Sequence, residues 1–297
     1  MSVLEVSTEG LAARPDDVGG GRPSGVLPLL RRSPMAAIGI AITVVLLVVS
    51  FLGPLLLPID PTAIHRDNVL SPPSAAFPFG TDELGRDLLA RVVAGARLSF
   101  VVGGAAMLLG TLVGVSTGVL AGYFGRAFEV VVMRLWDVLL AFPGALLGIA
   151  TATAMGPGVT SVVVAGALSG VPFFSRLARA STLVERERDY VVAARALGAS
   201  DARILGRHIL PNSVSPILVQ MSNTVGQAIL LEAALSYLGL GIQPPEPSLG
   251  TMLNEAQGVL GQAPWYPVYP GLTLVVLLVG LNFLTDGLHG LLVPRRR

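Results

Sequence analysis

Three histidines, His65, His208 and His289, are the only imidazoles in 297 residues. They stand far apart, with no H-E-x-x-H spacing to gather them on a metal ion. The chain has no cysteine, so disulfides, thiolate catalysis and iron–sulfur ligation drop out. All 20 basic residues are arginine. Without lysine there is no P-loop amine for nucleotide phosphates and no amine for a Schiff base. What remains for chemistry is hydrogen bonding. Gln220, Asn223 and Gln227, with Thr224 beside them, are spaced three and four apart, which places the amides on one side of a helix. A carboxamide both donates and accepts, and so matches a peptide bond. In an apolar setting such groups face a cavity or another helix. The stripe therefore reads either as a lining for peptide-like solutes or as interhelical hydrogen bonding. Glu232 and Asp286 also interrupt apolar runs, each near the end of a run where interfacial water is within reach.

The elements that must position these residues are membrane helices. Apolar residues make up 52% of the chain and charged residues 13%, against about a quarter charged in a soluble domain. The apolar residues cluster in runs near the length that crosses a bilayer. Spans are expected at 36–57, 98–120, 138–155, 159–174, 214–240 and 270–292, giving an all-α, polytopic membrane protein of about six spans. The third and fourth meet at a tight Gly156-Pro157-Gly158 turn. Residues 1–33, rich in Gly, Pro and Arg, read as a flexible cytoplasmic tail, and 34–297 as one transmembrane domain. With the N-terminus inside, 16 arginines fall on the cytoplasmic side and only Arg66, Arg86, Arg91 and Arg97 outside. The positive-inside rule then places both termini in the cytoplasm. The arginines are scattered rather than interleaved with aromatics, so nucleic acid is not a partner; the lipid membrane is.

Three segments carry more specific information. Gly110, Gly114, Gly118 and Gly122 recur every fourth residue, a small-residue stripe that lets a second helix approach. The stretch from Gly80 to Asp87 opens an amphipathic helix with Leu84, Leu88, Leu89, Val92 and Val93 on its apolar face. Its pairs Asp82–Arg86 and Asp87–Arg91 are worth tenths of a kcal/mol on an exposed helix. This helix reads as lying in the membrane interface, or as touching an external partner. The third segment, within an arginine-rich cytoplasmic loop at 175–213, is two short helices. Tyr190 to Leu197 closes at Gly198, suited to a left-handed residue. Ser200 caps the next helix with Asp201 in its first turn, and Pro211 ends it. The result is an exposed, rigid knob.

The segment AARALGASDARILGRHILPN, 193–212, resembles the EAA loop of bacterial ABC importer permeases. FGTDELGRD (79–87), RLWDVLLAFP (134–143), LEAALSYLGLGIQPPEPSLGTML (231–253) and NFLTDGLHGLLVPR (282–295) resemble the dipeptide/oligopeptide permeases of the C type, a group that includes nickel permeases. The likeness runs from about Pro34 to Arg295. The loop's usual glutamate is Val192 here, which removes any salt bridge made through it and leaves the knob intact.

The resemblance implies a permease subunit that pairs with a homologous second permease. Two ATP-binding subunits would hold ATP and magnesium and grip the loop through Val191, Val192, Ala193, Ala194, Leu197, Gly198, Asp201 and Arg203. An extracytoplasmic solute-binding protein would deliver peptides along Gln220, Asn223, Thr224 and Gln227. The chain itself would carry no cofactor and no enzyme activity, and would sit in the bacterial inner membrane. A nickel or other small-solute importer is the alternative cargo. An ion-coupled secondary carrier is the alternative class, but it would show repeat halves and a mid-membrane ionisable relay, and neither is evident in the sequence.

Overall fold

A computed structural model describes residues 34–56 and 59–292. The tail 1–33 and the C-terminal arginines Arg295 to Arg297 lie outside the described residues. The chain is built of helices: α1 (Pro34–Leu56), α2 (Leu88–Phe124), α3 (Arg126–Leu140), α4 (Gly144–Met155), α5 (Val159–Glu185), α6 (Asp189–Ala196), α7 (Asp201–Ile204), α8 (Leu210–Asn212), α9 (Val214–Tyr237), α10 (Leu249–Val259) and α11 (Val268–Leu292). A π-turn, Leu205–Ile209, joins α7 to α8. Five of these helices, α1, α2, α5, α9 and α11, are long and apolar enough to cross a membrane.

The third expected span, 138–155, is not one helix. It is broken between α3 and α4 with a bend of 93°. Pro143 stands at the break as the N-cap of α4: it has no N–H to donate and pushes Phe142 away from helical geometry. The 12 residues of α4 reach only about 18 Å at 1.5 Å per residue, short of the roughly 30 Å of hydrocarbon. Residues 121–137, between the second and third expected spans, are largely helix. The Glu129, Arg134 and Asp137 charges that interrupt its apolar pattern leave α3 amphipathic. Its Trp136 is buried, with the indole N–H donating to Thr117 Oγ1 at 3.3 Å, while Phe128, Val131, Leu135 and Val138 stay exposed.

The most extensive helix pair is α2 with α5, and the four-residue glycine stripe forms its seam. Gly110 meets Ala167, Gly114 meets Val171 and Phe174, Gly118 meets Ser175, and Gly122 meets Arg179 and Thr182. A Cβ on Gly114 would sit 2.7 Å from the Val171 carbonyl oxygen, so any side chain there forces the helices apart.

At the N-terminal end of α2, the segments 59–87 and 238–267 fold over the spans as a cap. Its core is Leu88, Val92, Leu249, Met252, Ala256, Ala263 and Tyr266, with Phe79 stacked on Tyr269 at 4.0 Å. Here the amphipathic-helix expectation is corrected. Residues 80–87 form a tight loop closed by a Thr81–Asp87 bridge, and the helix starts at Leu88 because the Asp87 carboxylate accepts from the N–H groups of Leu89 and Ala90. Asp82 is fully buried. Its carboxylate accepts from the Arg86 guanidinium at 2.5 Å and from the Leu84 and Arg86 amides, and it faces Arg91 Nε at 3.3 Å. Arg91, 1% exposed, reaches Glu255 at 3.4 Å, and Glu255 accepts from the Tyr266 hydroxyl at 2.6 Å. Burial, then the adjacent Glu255 charge, holds the Tyr266 phenol far above its ordinary range. Asp87 thus serves as a cap instead of pairing with Arg91, and the ion pairs lie inside a core rather than on a wet helix face.

Candidate functional site

At the opposite end of α2 stands the knob. Helix α6 runs from Asp189 to Ala196, and Gly198 follows with φ of +80°, the left-handed conformation that an L side chain resists. The turn projects Leu197 into the open, at 89% exposure. Val192, Ala193, Asp201 and Arg203 are exposed and Ala194 half-buried. Val191 is different. It is buried against Ile204 and Ile209, with Tyr123 and Leu205 packed around them. The residues expected to meet the ATPase therefore split: Ala194 and Leu197 share one face of α6 at period three with Val191, yet Val191 belongs to the knob's own core, where it holds the two short helices at their angle.

Two tyrosine–carboxylate bonds seat the knob on the spans. Tyr123 at the foot of α2 donates to Asp201 Oδ1 at 2.5 Å, and Arg195 lies over the Tyr123 ring at 5.7 Å. Tyr190 donates to the Glu185 carboxylate at the end of α5 and accepts from the Asn212 amide at 3.1 Å. The bond to Glu185, followed by partial burial, raises the Tyr190 phenol above its usual range. Ser200 occupies the N-cap position of α7 in extended geometry but makes no side-chain cap bond.

Pro211 does not end the second helix. It sits in the first turn of α8. Its missing N–H and its ring displace the helical bonding upstream, and the chain answers with the π-turn, in which the Leu210 amide reaches back to the Leu205 carbonyl. From α7 through the π-turn, α8 and α9, residues 201–237 form one nearly continuous helical run. The knob is the end of a span, not a separate appendage.

On α9 the amide stripe has a defined setting. Ser222 accepts from Thr285 of α11 at 2.9 Å, and Gly226 and Ile229 lie against Leu281, which marks the α11 side. Thr224 is buried against Gly170 and Ala228 against Gly166, which marks the α5 side. Thr224 therefore faces the bundle interior, where its hydroxyl donates to the Gln220 carbonyl at 2.9 Å. Asn223 and Gln227 lie between these two flanks, on the face that also carries exposed Leu230. Asn223 is half-buried and Gln227 exposed, and neither amide bonds to any of the described residues. Gln220 lies at the margin, its amide 3.4 Å from Thr224 Oγ1.

Glu232, expected within reach of interfacial water, is fully buried, held by Ser99, Ser236 and Ser248. Ser236 stands one turn away in sequence, but Ser99 and Ser248 come from other elements, so spacing alone gives no sign of the cluster.

These features define a class: an all-helical, multi-pass membrane permease with a helical knob at one end and a folded cap at the other. The chain belongs to the family of binding-protein-dependent transport system inner membrane components, whose model matches residues 114–297. Residues 28–73 match the N-terminal transmembrane domain of oligopeptide transport permease C. Among its relatives is the dipeptide transport system permease protein DppC of Alkalihalophilus pseudofirmus, 38% identical over 90% of this chain and 88% of that one. Another is the glutathione transport system permease protein GsiD of Pectobacterium atrosepticum, 41% identical over 90% of this chain and 88% of its own. The fold is that of ABC importer permeases. A chain of the inward-facing MetNI methionine ABC transporter superposes with a TM-score of 0.55 at 19% identity, covering 70% of this chain and 97% of that one.

Proposed function

We propose that this chain forms one half of the pathway of an ATP-driven importer for small peptides, the other half being a second, homologous permease. Two ATPase subunits that carry the ATP and magnesium grip the knob from the cytoplasm, and an extracytoplasmic binding protein hands cargo to the cap side. The observation that carries this reading is the knob itself: an exposed Leu197 on a left-handed Gly198, built on the same helical run that bears Asn223 and Gln227. A push on the knob moves the span whose uncovered amides face the second permease. Such a push shifts the balance of inward- and outward-open states only if the ATPase grips the two differently.

Peptides are the cargo favoured by the relatives' names and by the amides, which donate to and accept from peptide groups. In vesicles holding the whole transporter, uptake of a labelled dipeptide should be competed by unlabelled di- and tripeptides and unaffected by nickel. Saturable uptake of nickel with no peptide competition would replace this cargo. Glutathione as an added competitor separates the two relatives' substrates.

Asn223→Leu is expected to lower peptide uptake about tenfold, the loss of one to two hydrogen bonds to cargo, with the complex still purifying intact. Normal uptake per assembled complex would make the stripe packing alone.

The reading also sets orientation, with both termini in the cytoplasm of a bacterial cell. The absence of cysteine gives labelling no background. Ser74→Cys and Gln257→Cys, at exposed positions of the cap, should react with an impermeant maleimide in intact cells, and Ser200→Cys should not. Labelling at Ser200→Cys would invert the chain.

A further inference from the structure

Glu232 lies in the last two turns of α9, at 0% exposure and with no ion-pair partner among the described residues. Three hydroxyls donate to it: Ser99 of α2 to Oε2 at 2.9 Å, and Ser236 and Ser248 to Oε1, each at 2.9 Å. Ser248 is also the N-cap of α10, its oxygen accepting from the amides of Gly250 and Thr251 at 3.2 and 3.3 Å. The Ser236 oxygen accepts the Ile242 amide at 3.0 Å. With those oxygens occupied by backbone N–H groups, the hydroxyl protons are directed onto the carboxylate, which also stands at the favourable end of the α10 dipole. The backbones close in around it: a Cβ on Gly95 would lie 3.2 Å from the Leu249 amide. One side chain thus joins α2, α9 and the first turn of α10. The covalent link from α9 to α10 is a loop whose residues 243–246 are exposed.

We propose that Glu232 is a positioning residue of the transport cycle: it fixes the cap helix α10 to the run 201–237, so that movement entering at the knob is delivered to the outer face. The helical run measures about 55 Å along its path at 1.5 Å per residue, with the knob at one end and Glu232 a turn and a half from the other. Two other ties remain between these helices, the exposed Asn254 amide donating to the Tyr237 carbonyl at 2.8 Å and the Gly250 backbone packed on Ala233. Cut at Glu232, the run would still move and α10 would follow it only through these two. This inference rests on the knob as the point where the ATPase acts.

The test uses the whole transporter in proteoliposomes with its binding protein, and environment-sensitive fluorophores at Gln257→Cys on α10 or at Ser200→Cys on the knob. In the parent chain both probes should respond to ATP. In Glu232→Ala the Ser200 probe should respond as before, while the Gln257 response and peptide uptake each fall about tenfold, within the usual range of coupling between sites. If that variant fails to assemble, Glu232→Leu keeps most of the volume and can accept none of the three hydroxyl protons, and the same split between probes is expected. An unchanged Gln257 response in an assembled variant overturns the proposal. So does equal loss at both probes, which would mean that Glu232 only holds the fold. A parent chain whose Ser200 probe ignores ATP fails at the earlier step, the coupling function of the knob.

Discussion

Replacing Gly198 with valine is expected to abolish ATP-driven uptake while the chain still inserts in the membrane. The backbone there has φ of +80°, and no atom lies within 4 Å of the position a Cβ would take. The penalty is therefore conformational rather than a clash. A β-branched residue held in the left-handed region costs on the order of 1–3 kcal/mol, and the turn relaxes by tilting α6 against α7. Leu197, which owes its exposure to that turn, would lose its direction. Leu197→Asp tests the same surface without strain, and Ala194→Trp does so by overpacking a shallow face at about 1–3 kcal/mol. Since about 1.4 kcal/mol is a tenfold change in binding, each variant should co-purify with the ATPase subunits at least about tenfold less well. Val192→Glu, the residue that the likeness to the EAA loop leads one to expect, falls at an exposed position and should be tolerated. By contrast Val191→Asp puts a charge into the knob's core and should unfold the knob itself, visible as new protease cleavage between 186 and 213.

Asp82→Ala should be among the most destabilising single changes outside the spans. Removing it leaves Arg91, 1% exposed, with only the Glu255 contact at 3.4 Å, and Arg86 with Glu255 at 3.8 Å. Breaking a buried pair on one side costs about 3–5 kcal/mol because a charge is left without compensation. In addition, the Leu84 and Arg86 amides lose the acceptor that shapes the 80–87 loop. The expected result is a purified chain that melts well below the parent and is cleaved by protease within residues 59–87. An unchanged melting temperature would show that the cluster is hydrated and weakly coupled to the cap.

The contrast between these two regions shows what a sequence of this kind discloses. The places of five spans, the glycine seam and the left-handed Gly198 are local properties, fixed by residue type and period, and they are legible; the lengths are less so, since α2 runs over 88–124 against an expected 98–120 and α5 over 159–185 against 159–174. The role of Val191 was not, because period three places it with Ala194 while tertiary contact turns it toward Ile204 and Ile209. Asp82 and Arg86 were legible as a pair, but their burial was not: it depends on Glu255 and Tyr266, more than 160 residues away. The break at Pro143 was hidden inside an apolar run long enough to pass for a span. Pro211 looks like a stop in the sequence, yet a π-turn absorbs it and carries the helix through, which makes the knob continuous with the amide-bearing span. Glu232 shows the same limit, since two of its three serine partners come from elsewhere in the chain.

Energy should enter this permease through its knob from a separate ATPase. The most direct measurement is peptide uptake into proteoliposomes holding the two permeases, the ATPase subunits and the binding protein, with proton and sodium gradients collapsed by ionophores. Uptake that requires ATP on the knob side and disappears in Gly198→Val is the predicted result. Uptake that persists without ATP and follows an imposed ion gradient would contradict it and make the chain part of an ion-coupled carrier.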